Sequence, residues 1–267
     1  MYKAVVSDLD GTLLNGNHSI DEFTKETVSE VINRGIKFYI ATGRSYSGAK
    51  DIMDKLGLKI PLITSNGARI LDEEGKEIYV NNLEKKYSDS ILDIDYKKKG
   101  KSIVLNVYSG NDWYVTEDRR EFYMKINPKR TFFPEVTTLE ELKTKEFTKI
   151  FFLGEHDELL ELEKEIENIT KGEVNIAFVL EHCLEIFSKE SDKANAARFL
   201  LEKDGLTLKD SVTFGDGCND YNLLKQAGKG YVMGNALYRL KEALPENETV
   251  ETNADNGVAK KLVELFL

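Results

Sequence analysis

Asp8, Asp10, Thr42, Lys193, Asp216 and Asp220 are the side chains whose types and spacing could do chemistry in this sequence. Asp8 and Asp10 stand two apart in Asp8-Leu9-Asp10-Gly11-Thr12, directly after the apolar run YKAVVS at 2–7. In extended chain, residues two apart point the same way. Asp216 and Asp220 are four apart in GDGCND at 215–220, across the expected start of a helix, and can share a face. Four carboxylates around one small space repel and push one another's pKa values up. A hard divalent cation offsets that repulsion, and Mg²⁺ favours oxygen ligands. Asp8, Asp10, Asp216 and Asp220 are therefore the candidate ligands of one Mg²⁺. A carboxylate can attack phosphorus to give an aspartyl-phosphate, and a second one can protonate the departing alkoxide and then activate water. Thr42 and Lys193 would hold the non-bridging oxygens, where negative charge must be neutralised. Gly11, Gly43, Arg44, Asn66 and Gly67 complete the polar clusters as candidate substrate or supporting contacts.

These residues need a scaffold that brings distant segments to one edge. Residues 2–7, the segment GIKFYIA and residues 60–65 read as strands, separated by helices over 22–34 and 45–56. Strand, helix, strand, helix, strand marks a parallel sheet covered by helices. Phe23, Thr27, Val28, Val31 and Ile32 should form the inward face of the first helix, and ARILDEEGKEIYV should turn around Glu74 and Gly75. After about residue 82 the rhythm changes. A charged helix over 84–99, the strands SIVLNVY and WYV, FTKIFFLG, a helix over 156–169 and two last strands predict a partly antiparallel insertion. In that helix Leu159, Leu162, Ile166 and Ile169 should face inward, while Trp113, Tyr108 and Tyr114 read as core of the insertion or as a contact between domains. From Asp192 the α/β rhythm returns, with helices expected over 193–203, 219–227, 237–243 and 258–266. The reading is an α/β fold: residues 1–82 and 189–267 build a Rossmann-like parallel-sheet core, and 83–188 an inserted α/β cap. Ligands gather at the carboxyl ends of such strands, where the polar clusters at 8–12, 41–44, 64–67 and 215–220 fall.

Composition narrows the partners. The 267 residues carry 37 Lys and Arg against 47 Asp and Glu, a formal charge of −10. That field repels nucleic acid and anionic membranes, so neither is expected as a partner. No apolar run approaches the roughly 20 residues that cross a bilayer. The first strand-like segment begins at Tyr2, leaving no room for a leader, so the expectation is a cytoplasmic protein, monomeric or weakly homodimeric. Cys183 and Cys218 are too few for a disulfide scaffold, and His18, His156 and His182 are too scattered for a zinc site or a hydrolytic triad.

The ordered motifs resemble the haloacid dehalogenase (HAD) superfamily, and within it the Cof-type sugar-phosphatase-like family. DLDGTLL at 8–14 is similar to its first motif, ATGR at 41–44 to its second and GDGCND at 215–220 to its fourth. SNGA at 65–68, MGNA at 233–236 and DNGVA at 255–259 match further marks of the branch. The resemblance implies Asp8 as nucleophile and Asp10 as general acid/base, with a backbone carbonyl of Asp10 also on the metal. It implies Thr42 as the phosphate-binding hydroxyl, Asp216 and Asp220 near Mg²⁺, and Asn219 in the supporting shell. The third motif departs from the family's serine, lysine, glycine: here it reads Ser191-Asp192-Lys193-Ala194. Lys193 is the best phosphate lysine, opening a helix whose amides add to anion binding. Asp192 could simply cap that helix, and Glu190 and Lys189 are nearby alternatives.

The expected activity is Mg²⁺-dependent hydrolysis of small phosphorylated metabolites, sugar phosphates first, through an aspartyl-phosphate. Flavin mononucleotide or pyridoxal phosphate as substrate, a phosphomutase, and a non-catalytic phosphate-binding regulator are the alternatives. Asp10 together with an inserted cap favours turnover, since a cap excludes water and reads the leaving group. Glu181, His182 and Glu185 lie near the return from the cap.

Overall fold

The computed structural model describes residues 2–126 and 132–267, and the counts below refer to these. The chain forms two compact units, Met1–Val80 with Asp192–Leu267, and Asn81–Ser191. The first segment runs β1 (Ala4–Ser7), α1 (Glu22–Asn33), β2 (Lys37–Ala41), α2 (Tyr46–Leu56), β3 (Leu62–Thr64), β4 (Arg69–Leu71) and β5 (Glu77–Val80). The inserted unit carries α3 (Lys85–Leu92), β6 (Val104–Ser109), β7 (Asp112–Val115), α4 (Arg120–Ile126), β8 (Glu135–Val136), α5 (Leu139–Leu142), β9 (Lys149–Leu153), α6 (His156–Thr170), β10 (Val174–Leu180) and β11 (Cys183–Ser188). The return adds α7 (Lys193–Lys203), β12 (Ser211–Gly215), α8 (Tyr221–Gln226), β13 (Lys229–Val232), α9 (Tyr238–Ala243), β14 (Glu248–Thr249) and α10 (Gly257–Phe266).

The first unit is an eight-stranded sheet in the order β14-β13-β12-β1-β2-β3-β4-β5. It is parallel from β14 to β3, and β4 and β5 extend it as an antiparallel hairpin. β1 and β12 are wholly buried because both of their faces are covered, which is why they read as unbroken apolar runs. Val5, Phe38, Ile40 and Phe214 pack with Val28, Val31, Leu56 and Leu262 of the helices on one side. Val6, Tyr39 and Ile63 meet Ala197, Leu200 and Leu201 of α7 on the other. Full burial of such side chains contributes about 1.5–3 kcal/mol each relative to exposure. Asp21 caps α1 by accepting from the Thr24 N–H at 2.8 Å. The inward face of α1 begins at Thr24, and Phe23, expected inside, is 43% exposed.

The inserted unit is a six-stranded sheet, β10-β11-β9-β6-β7-β8, antiparallel except for the β7–β8 pair. Ile91, Leu159, Leu162 and Ile166 of α3 and α6 cover one face, against Ile150, Phe152, Leu184 and Ile186. Trp113, Tyr123, Phe151 and Cys183 pack together on the other, and the Trp113 indole N–H donates to Asn106 Oδ1 at 3.1 Å. The helix expected over 84–99 ends at Leu92. Burial of Ile94 and Tyr96, whose ring lies 5.5 Å from Phe152, draws the chain off the helical path. Ile169 stands at the edge of the α6 stripe and is exposed rather than inward. α4, β8 and α5 carry too little periodicity to be read from sequence. Two units, a Rossmann-like sheet and an α/β insertion, give the fold class expected.

Candidate active site

β1 lies between β2 and β12, with Ser7 level with Ile40 and Phe214. The residues that follow these three strands therefore emerge side by side at one sheet edge. The Asp8 N–H still bonds to the Phe214 carbonyl at 3.0 Å, so the ladder holds Asp8 at that edge. The chain then turns over Leu9–Leu13. Gly11 has φ +73°, and a Cβ on it would fall 2.3 Å from Asp216 Oδ2. Both facts require glycine there. The turn brings Thr12 to Asp216, and its hydroxyl donates to Asp216 Oδ1 at 2.9 Å. Sequence reasoning gave Thr12 no role, because a hydroxyl in a turn carries no signal of a partner 204 residues away.

Asp8, Asp216 and Asp220 each present a carboxylate oxygen within 4.8 Å of the others. Lys193 is 1% exposed, and its Nζ donates to Asp8 Oδ1 at 2.5 Å and to Asp220 Oδ1 at 2.7 Å. The second Asp220 oxygen accepts the N–H groups of Asp216 and Gly217, at 3.0 and 2.9 Å. That tie tightens the chain at Cys218–Asp220, so α8 starts at Tyr221 instead of 219. Burial pushes the Asp8 carboxyl well above the usual range; Lys193 opposes this, while Asp220 and Asp216 add to it. Burial also raises Asp216, against the bond from Thr12. For Lys193, burial favours the neutral amine, but Asp220 and Asp8 outweigh it and hold the ammonium charged. Three buried or half-buried carboxylates thus share one ammonium. An all-oxygen donor set short of positive charge is positioned to coordinate a hard divalent metal.

Asp10 lies outside this cluster. Arg44 takes both of its oxygens, Nε to Oδ2 at 2.6 Å and Nη2 to Oδ1 at 2.5 Å. The expected four carboxylates become three plus a separate ion pair, because the chain turns after Asp8 and strand alternation does not carry on to residue 10. Arg44 is expected as a substrate or supporting contact, and its guanidinium is engaged with Asp10 and with the Gly48 carbonyl, 3.0 Å away. Thr42 follows β2 and is 1% exposed, and its hydroxyl oxygen accepts the Arg44 N–H at 3.1 Å. Gly43 lies against Asn66, whose Oδ1 would be 3.0 Å from a Cβ at that position. Asn66 Oδ1 accepts from Asn219 Nδ2 at 2.9 Å, tying the loop after β3 to the loop after β12. Gly67 has φ +97° and passes so close to α7 that a Cβ would sit 2.4 Å from the Asp192 carbonyl oxygen. Asp192 caps α7, its Oδ1 accepting from Ala194 and Asn195 at 2.7 and 3.2 Å, and Lys193 rather than Lys189 occupies the cluster. Asn235, within the MGNA run, donates to the Gly11 carbonyl at 2.7 Å and supports the turn from behind.

A family model for haloacid dehalogenase-like hydrolases matches residues 5–262. The chain belongs to that family. Among curated relatives of this hydrolase, a Buchnera aphidicola protein described provisionally as a phosphatase is 37% identical over 270 residues, covering 100% of this chain and 99% of its own. A Yersinia pseudotuberculosis protein named HMP-PP phosphatase is 31% identical over 262 residues, covering 98% and 94%. A solved structure from Thermotoga maritima superposes with a TM-score of 0.86 at 27% identity, covering 99% of this chain and 98% of its own. A haloacid dehalogenase-like hydrolase from Bacteroides thetaiotaomicron gives 0.85 at 26% identity, covering both chains fully. The aspartate cluster on this fold makes the hydrolase a phosphoric monoester hydrolase. Among the described residues, no helix is long and apolar enough to cross a membrane.

Proposed function

We propose that this hydrolase removes phosphate from small phosphorylated metabolites, sugar phosphates among them, through a phosphoryl group carried on Asp8. The contact that carries the reading is Lys193 Nζ on Asp8 Oδ1, beside Asp216 and Asp220. An Asp8 oxygen attacks phosphorus, the bond from phosphorus to the leaving oxygen breaks, and Asp10 gives that oxygen a proton. Water then attacks the phosphoryl group, Asp10 takes back a proton, and the Asp8 carboxylate leaves, releasing phosphate. Thr42 and Lys193 hold the non-bridging oxygens. Asp8, Asp216 and Asp220, with the Asp10 carbonyl, would hold Mg²⁺, which supplies positive charge where the phosphoryl oxygens gain negative charge. A panel of phosphorylated metabolites, assayed for released phosphate with and without Mg²⁺, tests the proposal. Release from sugar phosphates that requires Mg²⁺ supports it, and no release from any of them contradicts it.

A second reading, HMP-PP as substrate, is favoured by the Yersinia relative's name and its match over 98% of this chain. Faster turnover of HMP-PP than of every sugar phosphate in the same panel selects it.

Asp216→Asn should raise the Mg²⁺ concentration for half-maximal activity at least about tenfold, since even residues that merely support metal ligands cost that much. A metal titration unchanged in the variant places the cation elsewhere.

Substrate choice belongs to the inserted unit, which acts as a cap. That unit has its own cavity of about 460 Å³, lined by Ser102, Arg119, Tyr123, Glu155 and His182 among others. Arg119→Ala should reorder the substrate panel while leaving the Mg²⁺ requirement as it was. An unchanged ranking removes this cavity from substrate selection.

A further inference from the structure

We infer that Arg44 is the positioning residue for Asp10, and that it acts on the leaving group through Asp10 instead of binding substrate itself. The inference rests on Asp10 being the group that protonates the leaving oxygen. Asp10 sits in the turn over Leu9–Leu13, beside Gly11, with its side chain 39% exposed. Both oxygens are taken by one guanidinium, through Nε and Nη2. His18 Nδ1 lies 3.9 Å from Oδ1, on a side chain that is 76% exposed.

Arg44 is itself anchored without Asp10. Its N–H donates to Thr42 Oγ1 at 3.1 Å, its carbonyl accepts the Ser65 N–H at 2.7 Å, and Nη1 donates to the Gly48 carbonyl in the first turn of α2. Contacts at the start of α2 and after β3 hold Arg44 independently of Asp10, and Arg44 in turn sets the direction of the Asp10 carboxylate. A forked, two-point pair sets orientation as well as distance, which a lysine ammonium cannot do. The same geometry leaves Arg44 with few donors to offer a phosphate. A proton donor out of place by about 1 Å loses on the order of 10²-fold in rate.

The test compares Arg44→Ala, Arg44→Lys, Asp10→Asn and Arg44→Ala/Asp10→Asn in the full chain. Each is assayed with a sugar phosphate, whose alkoxide needs a proton, and with p-nitrophenyl phosphate, whose leaving group does not. General acid catalysis is worth roughly 10²–10⁴-fold, so Arg44→Ala should lower kcat on the sugar phosphate by about 10²-fold and shift the sugar-to-aryl ratio by at least about tenfold. Arg44→Lys should fail to restore that ratio, added guanidinium should restore part of it in Arg44→Ala, and the double variant should be no worse than Asp10→Asn. A merely structural loss would lower both substrates together and leave the ratio alone. If Arg44→Ala instead raises KM equally for both substrates and adds fully to Asp10→Asn, Arg44 binds substrate directly and the inference is wrong. If Asp10→Asn keeps full activity on the sugar phosphate, the general-acid reading itself fails, whatever Arg44 does.

Discussion

Asp8→Asn should abolish turnover on every substrate, by on the order of 10⁴-fold or more, because loss of a nucleophile removes the step that everything else serves. The fold should survive, and the reason lies in the sign of the Asp8 shift. Burial raises this carboxyl above its unfolded value. A raised carboxylic acid contributes its stability at low pH and loses it as pH rises through the folded value. Without metal, burial and the neighbouring Asp220 and Asp216 therefore disfavour the charged form of Asp8 in the folded protein. Asparagine has no charge to bury. The metal-free variant should melt at or above the wild-type temperature at pH 7, and added Mg²⁺ should raise the wild type's melting temperature more than the variant's. Steady-state kinetics and thermal melts check both halves. Residual wild-type activity, or a strongly lowered melting temperature with a lost fold, contradicts the assignment.

Lys193→Met should be costly twice over. The ammonium is 1% exposed and bonds to two carboxylates. Removing one partner from a buried charge cluster leaves the others uncompensated, at a cost of about 3–5 kcal/mol. Mg²⁺ should return part of that stability by supplying the missing charge. Activity should not return with it: losing a donor aimed at developing negative charge costs roughly 10²–10³-fold in kcat. Denaturant unfolding and phosphate-release assays, each with and without Mg²⁺, separate the two effects. A stable and fully active Lys193→Met would show that the ammonium is not a phosphate ligand.

The sheet was legible because buried strands such as Ala4–Ser7 and Ser211–Gly215 are continuous apolar runs ending in polar clusters. Adjacent strand ends bring Asp8, Asp216 and Asp220 together, as the fall of these polar clusters at the strand ends of one expected sheet suggests. What failed was local geometry beyond the strand end. The alternation that aligned Asp10 with Asp8 stops where the turn begins, and nothing in the residue types pairs Asp10 with Arg44, 34 positions on. Thr12 on Asp216 and Asn235 on the Gly11 carbonyl are likewise long-range contacts that a turn creates. In the insertion, residues 93–99 read as the end of an amphipathic helix by their apolar spacing, but tertiary burial of Ile94 and Tyr96 overrode it. Phe23 failed by one position: the buried stripe of α1 starts at Thr24, and a threonine gives hydropathy no inward signal.

Whether Asp8 carries the phosphoryl group is tested most directly by chemical trapping. The enzyme is mixed with a sugar phosphate and Mg²⁺, quenched in acid during turnover, reduced with borohydride and digested for peptide mass spectrometry. Borohydride converts an aspartyl-phosphate to homoserine and leaves free aspartate untouched. Homoserine is expected at position 8, dependent on substrate and absent from Asp8→Asn. Homoserine at Asp10, Asp216 or Asp220 instead, or none at any position while phosphate is being released, would contradict it.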